Sequence, residues 1–172
     1  MFKIILILLN IFFLISNAAA ITEIRFLDLN YIIDNSKTGK EINLILQSKN
    51  NNNLDLLKTN EKIILAFRND IITKKNILSQ IEFDKKNNEL KAQIETFNNL
   101  RKEKENEILD LRQYYLNILL KELNSIIVTY SNQNNIDIVI KKENLITGKK
   151  DLDITQFILD KLNNTKIDLK WE

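Results

Sequence analysis

The chain has 172 residues, room for one domain or two, and carries 25 Lys and Arg against 23 Asp and Glu with no histidine and no cysteine. Without either residue the usual zinc sites, Ser-His or Cys-His nucleophilic machinery and disulfide staples are excluded. Two glycines, Gly39 and Gly148, cannot write a Walker A loop or a dinucleotide fingerprint, and the near-neutral charge lacks the basic excess of a nucleic-acid binder. No catalytic residue, metal, cofactor or nucleic-acid partner is therefore expected, although acidic residues are too common to exclude a carboxylate pair.

Residues 1–20 differ from the rest: Lys3, an apolar run from Ile4 to Ile15 broken by Asn10, then Ala18 and Ala20 in an A-x-A arrangement. This pattern predicts a secretory signal peptide cut after Ala20. The alternative is an uncleaved anchor, but the run is shorter than the roughly 20 residues that span a bilayer. Removing Lys3 leaves 24 basic residues against the same 23 acidic ones, so the exported chain is close to neutral.

The segment "ITEIRFLD" sets Ile24 and Phe26 on the face opposite Glu23 and Arg25, which predicts a strand. "NIDIVIKKENLITGKK" reads the same way, with Ile136, Ile138 and Ile140 alternating with Asp137 and Val139. A polar turn at Lys141–Glu143 precedes a second short strand at Leu145 and Ile146 that stops at Gly148. Asp153 or Thr155 then caps a helix that buries Ile154, Phe157, Ile158 and Leu162.

Between these ends there is no proline, and no glycine between Gly39 and Gly148, so the middle of the chain is predicted to be long helix. Leu57, Ile64, Ile71 and Leu78 keep a seven-residue repeat reinforced by Phe67. Leu90, Ile94, Phe97, Ile108, Leu111, Tyr115 and Ile118 follow heptad-like spacing, with a later stripe of Leu119, Leu123, Ile126 and Tyr130. Ser79 and Glu82 form an S-x-x-E capping box, which starts a helix and so implies that an earlier one has ended. The prediction is an antiparallel helical hairpin over residues 37–132 with its tip near residues 76–79. One continuous rod with a chance capping-box match is the alternative.

Two polar breaks support the hairpin. One is Asn50, Asn51, Asn52 and Asn53; the other is "RKEKENE", centred on Lys104 with no apolar residue between Leu100 and Ile108. Folding the chain near residue 78 brings both to the same height. Asn50–Asn53 and Lys104 are therefore hinge candidates, against the plainer reading of asparagines on a solvated face.

The ends carry a resemblance. "EIRFLDLNYIIDNSKTGKEI", with Leu27-Asp28 closing a strand and Ser36, Gly39 and Lys40 in an S-x-x-G-K motif, resembles the opening of the Skp/OmpH family of periplasmic outer-membrane-protein chaperones. "NIDIVIKKENLITGKKDLDITQFILDKLN", with Asp153, Ile154 and Thr155, resembles its closing segment, and "LSQIEFDKKNNEL" its arm tip. The order of elements is more specific than any one motif, and residues 165–172 extend past the pattern.

The resemblance implies an α+β, mostly α, fold: a long coiled-coil hairpin arm on a small β body built from N- and C-terminal strands, in a jellyfish-like homotrimer. Residues 1–20 are then the signal peptide, 21–36 and 133–164 the two parts of the β body, 37–132 the arm and 165–172 a tail, an extra strand being one reading of the last. The family's activity would be an ATP-independent holdase in the periplasm, keeping unfolded outer-membrane β-barrel proteins in a cavity between the arms. Sharing strands between protomers would bury Ile24, Phe26, Ile136, Ile138 and Ile140, which are core residues first and a trimer interface through the resemblance.

Client-binding candidates on the arm are Ile63, Phe67, Ile72, Ile81, Phe83 and Ile94, for each of which hairpin packing is the plainer reading. Arg68, Lys74, Lys75, Lys85, Lys86 and Lys91 make the tip basic, suited to acidic clients or to weak contact with anionic lipid headgroups, or simply to solvation. The rival function is a structural or adaptor coiled coil of the envelope without chaperone activity. That protein would want an unbroken apolar stripe.

Overall fold

A computed structural model describes residues 22–170. The predicted signal peptide, Ile21 and residues 171–172 lie outside the described residues.

Strand β1 (Ile24–Leu27) ends at Asp28, whose carboxylate accepts the Tyr31 amide at 2.9 Å and starts helix α1 (Leu29–Asn35). Ser36 then serves two helices. Its amide donates to the Ile32 carbonyl at 2.9 Å, closing α1, and its Oγ accepts the Gly39 amide at 3.0 Å, opening α2 (Lys37–Lys74). The S-x-x-G spacing has a steric reason: a Cβ on Gly39 would stand 1.8 Å from the Ile33 carbonyl oxygen. Only glycine lets the first turn of α2 lie this close to the last turn of α1.

Helix α2 has 38 residues and α3 (Gln80–Gln133) has 54, about 57 and 81 Å of helix. The predicted capping box is present: Glu82 accepts the Ser79 amide at 3.0 Å, and Ser79 Oγ accepts the Glu82 amide at 3.3 Å. The turn between Lys74 and Gln80 thus falls where the sequence placed the tip. Leu57, Ile64, Phe67 and Leu78 are half-buried and Ile71 is buried, so the heptad stripe is the seam. Helix α3 ends at Gln133 with Asn134 as its C-cap; Asn135, just beyond, takes the left-handed conformation (φ 52°) while the Ile136 amide reaches back to the Ser131 carbonyl at 3.0 Å.

Strand β2 (Ile138–Lys141) pairs parallel with β1, Ile24 opposite Ile138 and Phe26 opposite Ile140. The second strand expected at Leu145 and Ile146 is not formed. Turns of 3₁₀ helix occupy Lys142–Asn144 and Lys150–Leu152, Ile146 is fully exposed, and Gly148 lies against the Phe26 ring. At the β1 edge, the Ile154 amide donates to the Phe26 carbonyl at 2.9 Å, beside a single bridge from Phe26 to Asp153. That edge is therefore taken by the segment leading into helix α4 (Thr155–Asn163).

Asp153 accepts the Thr155 amide at 2.9 Å, and Thr155 Oγ1 accepts the Asp28 amide at 2.8 Å, tying the two ends of the chain together. Ile154, Ile158 and Leu162 are buried as expected, but Phe157 is exposed and stacks on Tyr130 at 4.3 Å, Leu159 taking the inward place.

The core sits where α1, α4 and the roots of α2 and α3 meet: Ile32, Ile42, Leu46, Leu119, Leu123, Ile158 and Leu162. It lies on the Leu27 and Val139 face of the sheet. Ile24, Phe26, Ile136, Ile138 and Ile140, expected in a core shared between protomers, are unevenly covered within one chain. Phe26 and Ile136 are buried and Ile140 half-buried, while Ile24 (40% exposed) and Ile138 (46%) stand bare within one chain. Period-2 alternation says which residues share a face but not which face is covered. No strand forms at residues 165–170 either. Ile167 and Leu169 pack against the core in an extended segment.

Candidate client-binding arm

Beyond Leu46 and Leu111 the arm is thin. Between them and the tip, Asn53 and Ile71 are its only buried residues. A two-helix seam covers one stripe of each helix and leaves its flanks bare. On α2, about 100° of rotation per residue places Leu54, Leu65 and Ile72 on one flank and Leu56 and Ile63 on the other. All five are exposed, from 42% at Leu56 to 59% at Ile63 and Ile72.

The six client-binding candidates are not gathered on one face. Ile63 and Ile72 lie on opposite flanks, Phe67 and Phe83 are half-buried toward the seam, Ile94 is exposed, and Ile81 stands 82% exposed beside the tip. Ile63 and Ile64 line a groove of about 310 Å³ with Phe97 and Leu100 across from them. The Leu54, Leu65 and Ile72 stripe was missed as a unit, as was Ile77 (83% exposed) at the tip. The 11- and 7-residue spacings of that stripe were its signal.

The basic tip is partly neutralised. Lys74 pairs with Asp70 at 2.6 Å and Lys86 approaches it at 3.9 Å, with the Lys86 ammonium 5.3 Å from the Phe67 ring centre. The hydrogen bond from Lys74 holds the Asp70 carboxyl below its ordinary value. Arg68, Lys75, Lys85 and Lys91 are exposed and have no ion pair among the described residues.

At mid-arm the two polar breaks do face each other. Both helices run through them without interruption. Asn53 falls seven residues after Leu46, in the seam, and is buried with its amide 3.4 Å from Glu107. Glu107 also accepts Lys49 at 2.6 Å and Lys104 at 3.3 Å. These hydrogen bonds, Lys49 first, hold its carboxyl below the ordinary range. Asn50, Asn51 and Asn52 remain exposed. Lys49 and Glu107 were not singled out from the sequence, although Glu107 lies inside the polar break.

No group of acidic residues among those described could hold a metal, and no described helix is long and apolar enough to cross a membrane. The model of the family described as "Outer membrane protein (OmpH-like)" matches residues 23–162, and the chain belongs to that family. Its fold is similar to the crystal structure of an OmpH-like protein from Caulobacter crescentus CB15, assigned there as a candidate outer membrane chaperone. The TM-score is 0.78 at 15% identity, over 87% of this chain and 88% of that one. At that identity the likeness speaks to the fold. No curated protein matches the chain in sequence.

Proposed function

We propose that this protein is an ATP-independent holdase of the periplasm. It assembles as a homotrimer whose three arms surround unfolded outer-membrane β-barrel proteins and prevent their aggregation. The observation that carries this reading is the pair of bare aliphatic flanks on a hairpin too thin to cover them. Exposed Leu and Ile side chains that recur along both flanks, diluted by Asn and Lys, suit many weak, reversible contacts with an apolar client. Family membership supports the same class. The flank of Leu54, Leu65 and Ile72, together with Ile63, Phe67, Ile81, Phe83 and Ile94, holds the client.

Assembly is supported by the bare Ile24 and Ile138 pair and by β2, which pairs only with β1 among the described residues. An apolar face beside an unpaired edge is suited to strands from other copies. The polar layer at Asn50–Asn53 and Lys104 acts as a hinge, because its half-buried ion pairs stabilise the seam less than apolar packing does. At the tip, Lys75 and Lys85 beside exposed Ile77 and Ile81 favour a weak contact with anionic lipid headgroups.

The test is dilution of a urea-unfolded barrel protein into buffer without nucleotide. Light scattering should fall when the mature protein is present, and equal scattering with and without it defeats the proposal. Native mass spectrometry should give three times the chain mass. A monomer or dimer at micromolar concentration would leave the adaptor coiled coil as the better reading.

A further inference from the structure

Residues 165–170 lie beyond the stretch that the family model matches, and the structure gives them a definite place. Thr165 lines a cleft with Glu122 and Ser125 of α3, and at the other end Tyr114 Oη donates to the Lys170 carbonyl at 2.7 Å. Five extended residues cover about 17 Å, and the 8 to 11 residues of α3 between those points about 12 to 17 Å. The segment therefore runs extended along the side of α3, opposite to it in direction, from the body into the root of the arm.

Burial alternates along it. Thr165, Ile167 and Leu169 are half-buried, while Lys166, Asp168 and Lys170 are exposed. Ile167 and Leu169 pack against the main core. No strand pairs with the segment among the described residues. Thr165 is tied to the Leu162 and Lys161 carbonyls of α4; beyond it the segment is held by alternate apolar side chains and the Tyr114 bond to the Lys170 carbonyl, which demand little of its sequence. Alternation of apolar and polar residues is also the pattern of a β-barrel strand.

We propose that the flank of α3 from Tyr114 to Ser125 is a docking strip for extended polypeptide with apolar residues at alternate positions, and that residues 165–170 occupy it as a tethered competitor of the client. The partner class rests on the holdase reading above. A tethered segment has an effective concentration of order millimolar, enough to displace loosely held stretches and help a client leave. Clients with longer apolar alternation displace the tail in turn.

The test uses the full chain, a doubly substituted chain with Ile167→Asp and Leu169→Asp, and a fluorescent peptide of residues 164–170. Against a tethered competitor near millimolar, a peptide of about 0.1 mM affinity binds the substituted chain about tenfold more tightly than the unsubstituted one. An unfolded barrel protein should displace it. Leu169→Ser, a milder change, should give an intermediate gain, which guards against misfolding of the double variant. Equal peptide binding to all chains, or none, overturns the proposal. So does failure of a client that the unsubstituted chain keeps soluble to displace the peptide. If no chain keeps any client soluble, the holdase function fails, and the strip is then decided by peptide binding alone.

Discussion

Replacing Gly39 by alanine sets two opposed effects against each other. Alanine in a helix is favoured over glycine by about 1 kcal/mol, so a substitution with room for a methyl group would stabilise α2. Here the Cβ would lie 1.8 Å from the Ile33 oxygen and 2.9 Å from Ser36 Oγ. Ordinary van der Waals separation is about 3.5 Å, so α1 and α2 must part by well over an ångström. Ile32 and Ser36, both fully buried, resist that movement. Parting the helices breaks the Ser36 cap on Gly39, worth about 1 kcal/mol, and strains the core by about 1 to 3 kcal/mol. The net expectation for Gly39→Ala is a loss of about 1 to 3 kcal/mol. Urea unfolding followed by circular dichroism, at one protein concentration for both chains, measures it. Asn51→Ala, on an exposed helical surface, serves as the reference and should be neutral or slightly stabilising. A Gly39→Ala chain as stable as the parent would refute the close-approach argument.

Three further outcomes are expected. The Glu107 carboxyl is depressed in the folded arm, so the stability it contributes is present above its ordinary value of 4.5 and lost as pH falls through the lower folded value. Hydrogen exchange at residues 101–107, corrected for intrinsic rate, should therefore accelerate below about pH 4.5, and Glu107→Gln should abolish that dependence. Replacing Asn50–Asn53 by Ala-Glu-Lys-Ala should slow exchange at residues 48–54. Native exchange there already as slow as in the neighbouring arm would mean that no hinge exists. Leu65→Asp with Ile72→Asp should weaken suppression of client aggregation severalfold while leaving the melting temperature within a few degrees, because both side chains are largely exposed.

The arm was legible in the sequence to a degree that the body was not. A capping box is a local device, written in Ser79 and Glu82 and needing nothing distant to form, so the tip could be placed directly. The mirrored breaks at Asn53 and Glu107 follow from the tip by counting. Strands β1 and β2 announced themselves by alternation, but the inward face did not, because covering Leu27 and Val139 depends on where α1 and α4 dock. The missing strand at Leu145 and Ile146 has the same origin: its place on the β1 edge is taken by the Ile154 amide, a contact between residues far apart in the chain. Phe157 was drawn inward by helical spacing, yet Leu159 filled the core and left the ring to Tyr130. Ile77 and the Leu54, Leu65 and Ile72 flank escaped notice because apolar residues at helical spacing read first as seam.

The central claim is that the bare flanks of the arm hold unfolded barrel proteins. A photo-crosslinking amino acid placed at Ile72, on the flank, and separately at Lys62, on the outer face, tests it most directly. With an unfolded barrel protein present, irradiation should join the client to position 72 and give much less product at 62. Equal yields at the two positions, or none at either while the protein still keeps the client soluble, would contradict the account.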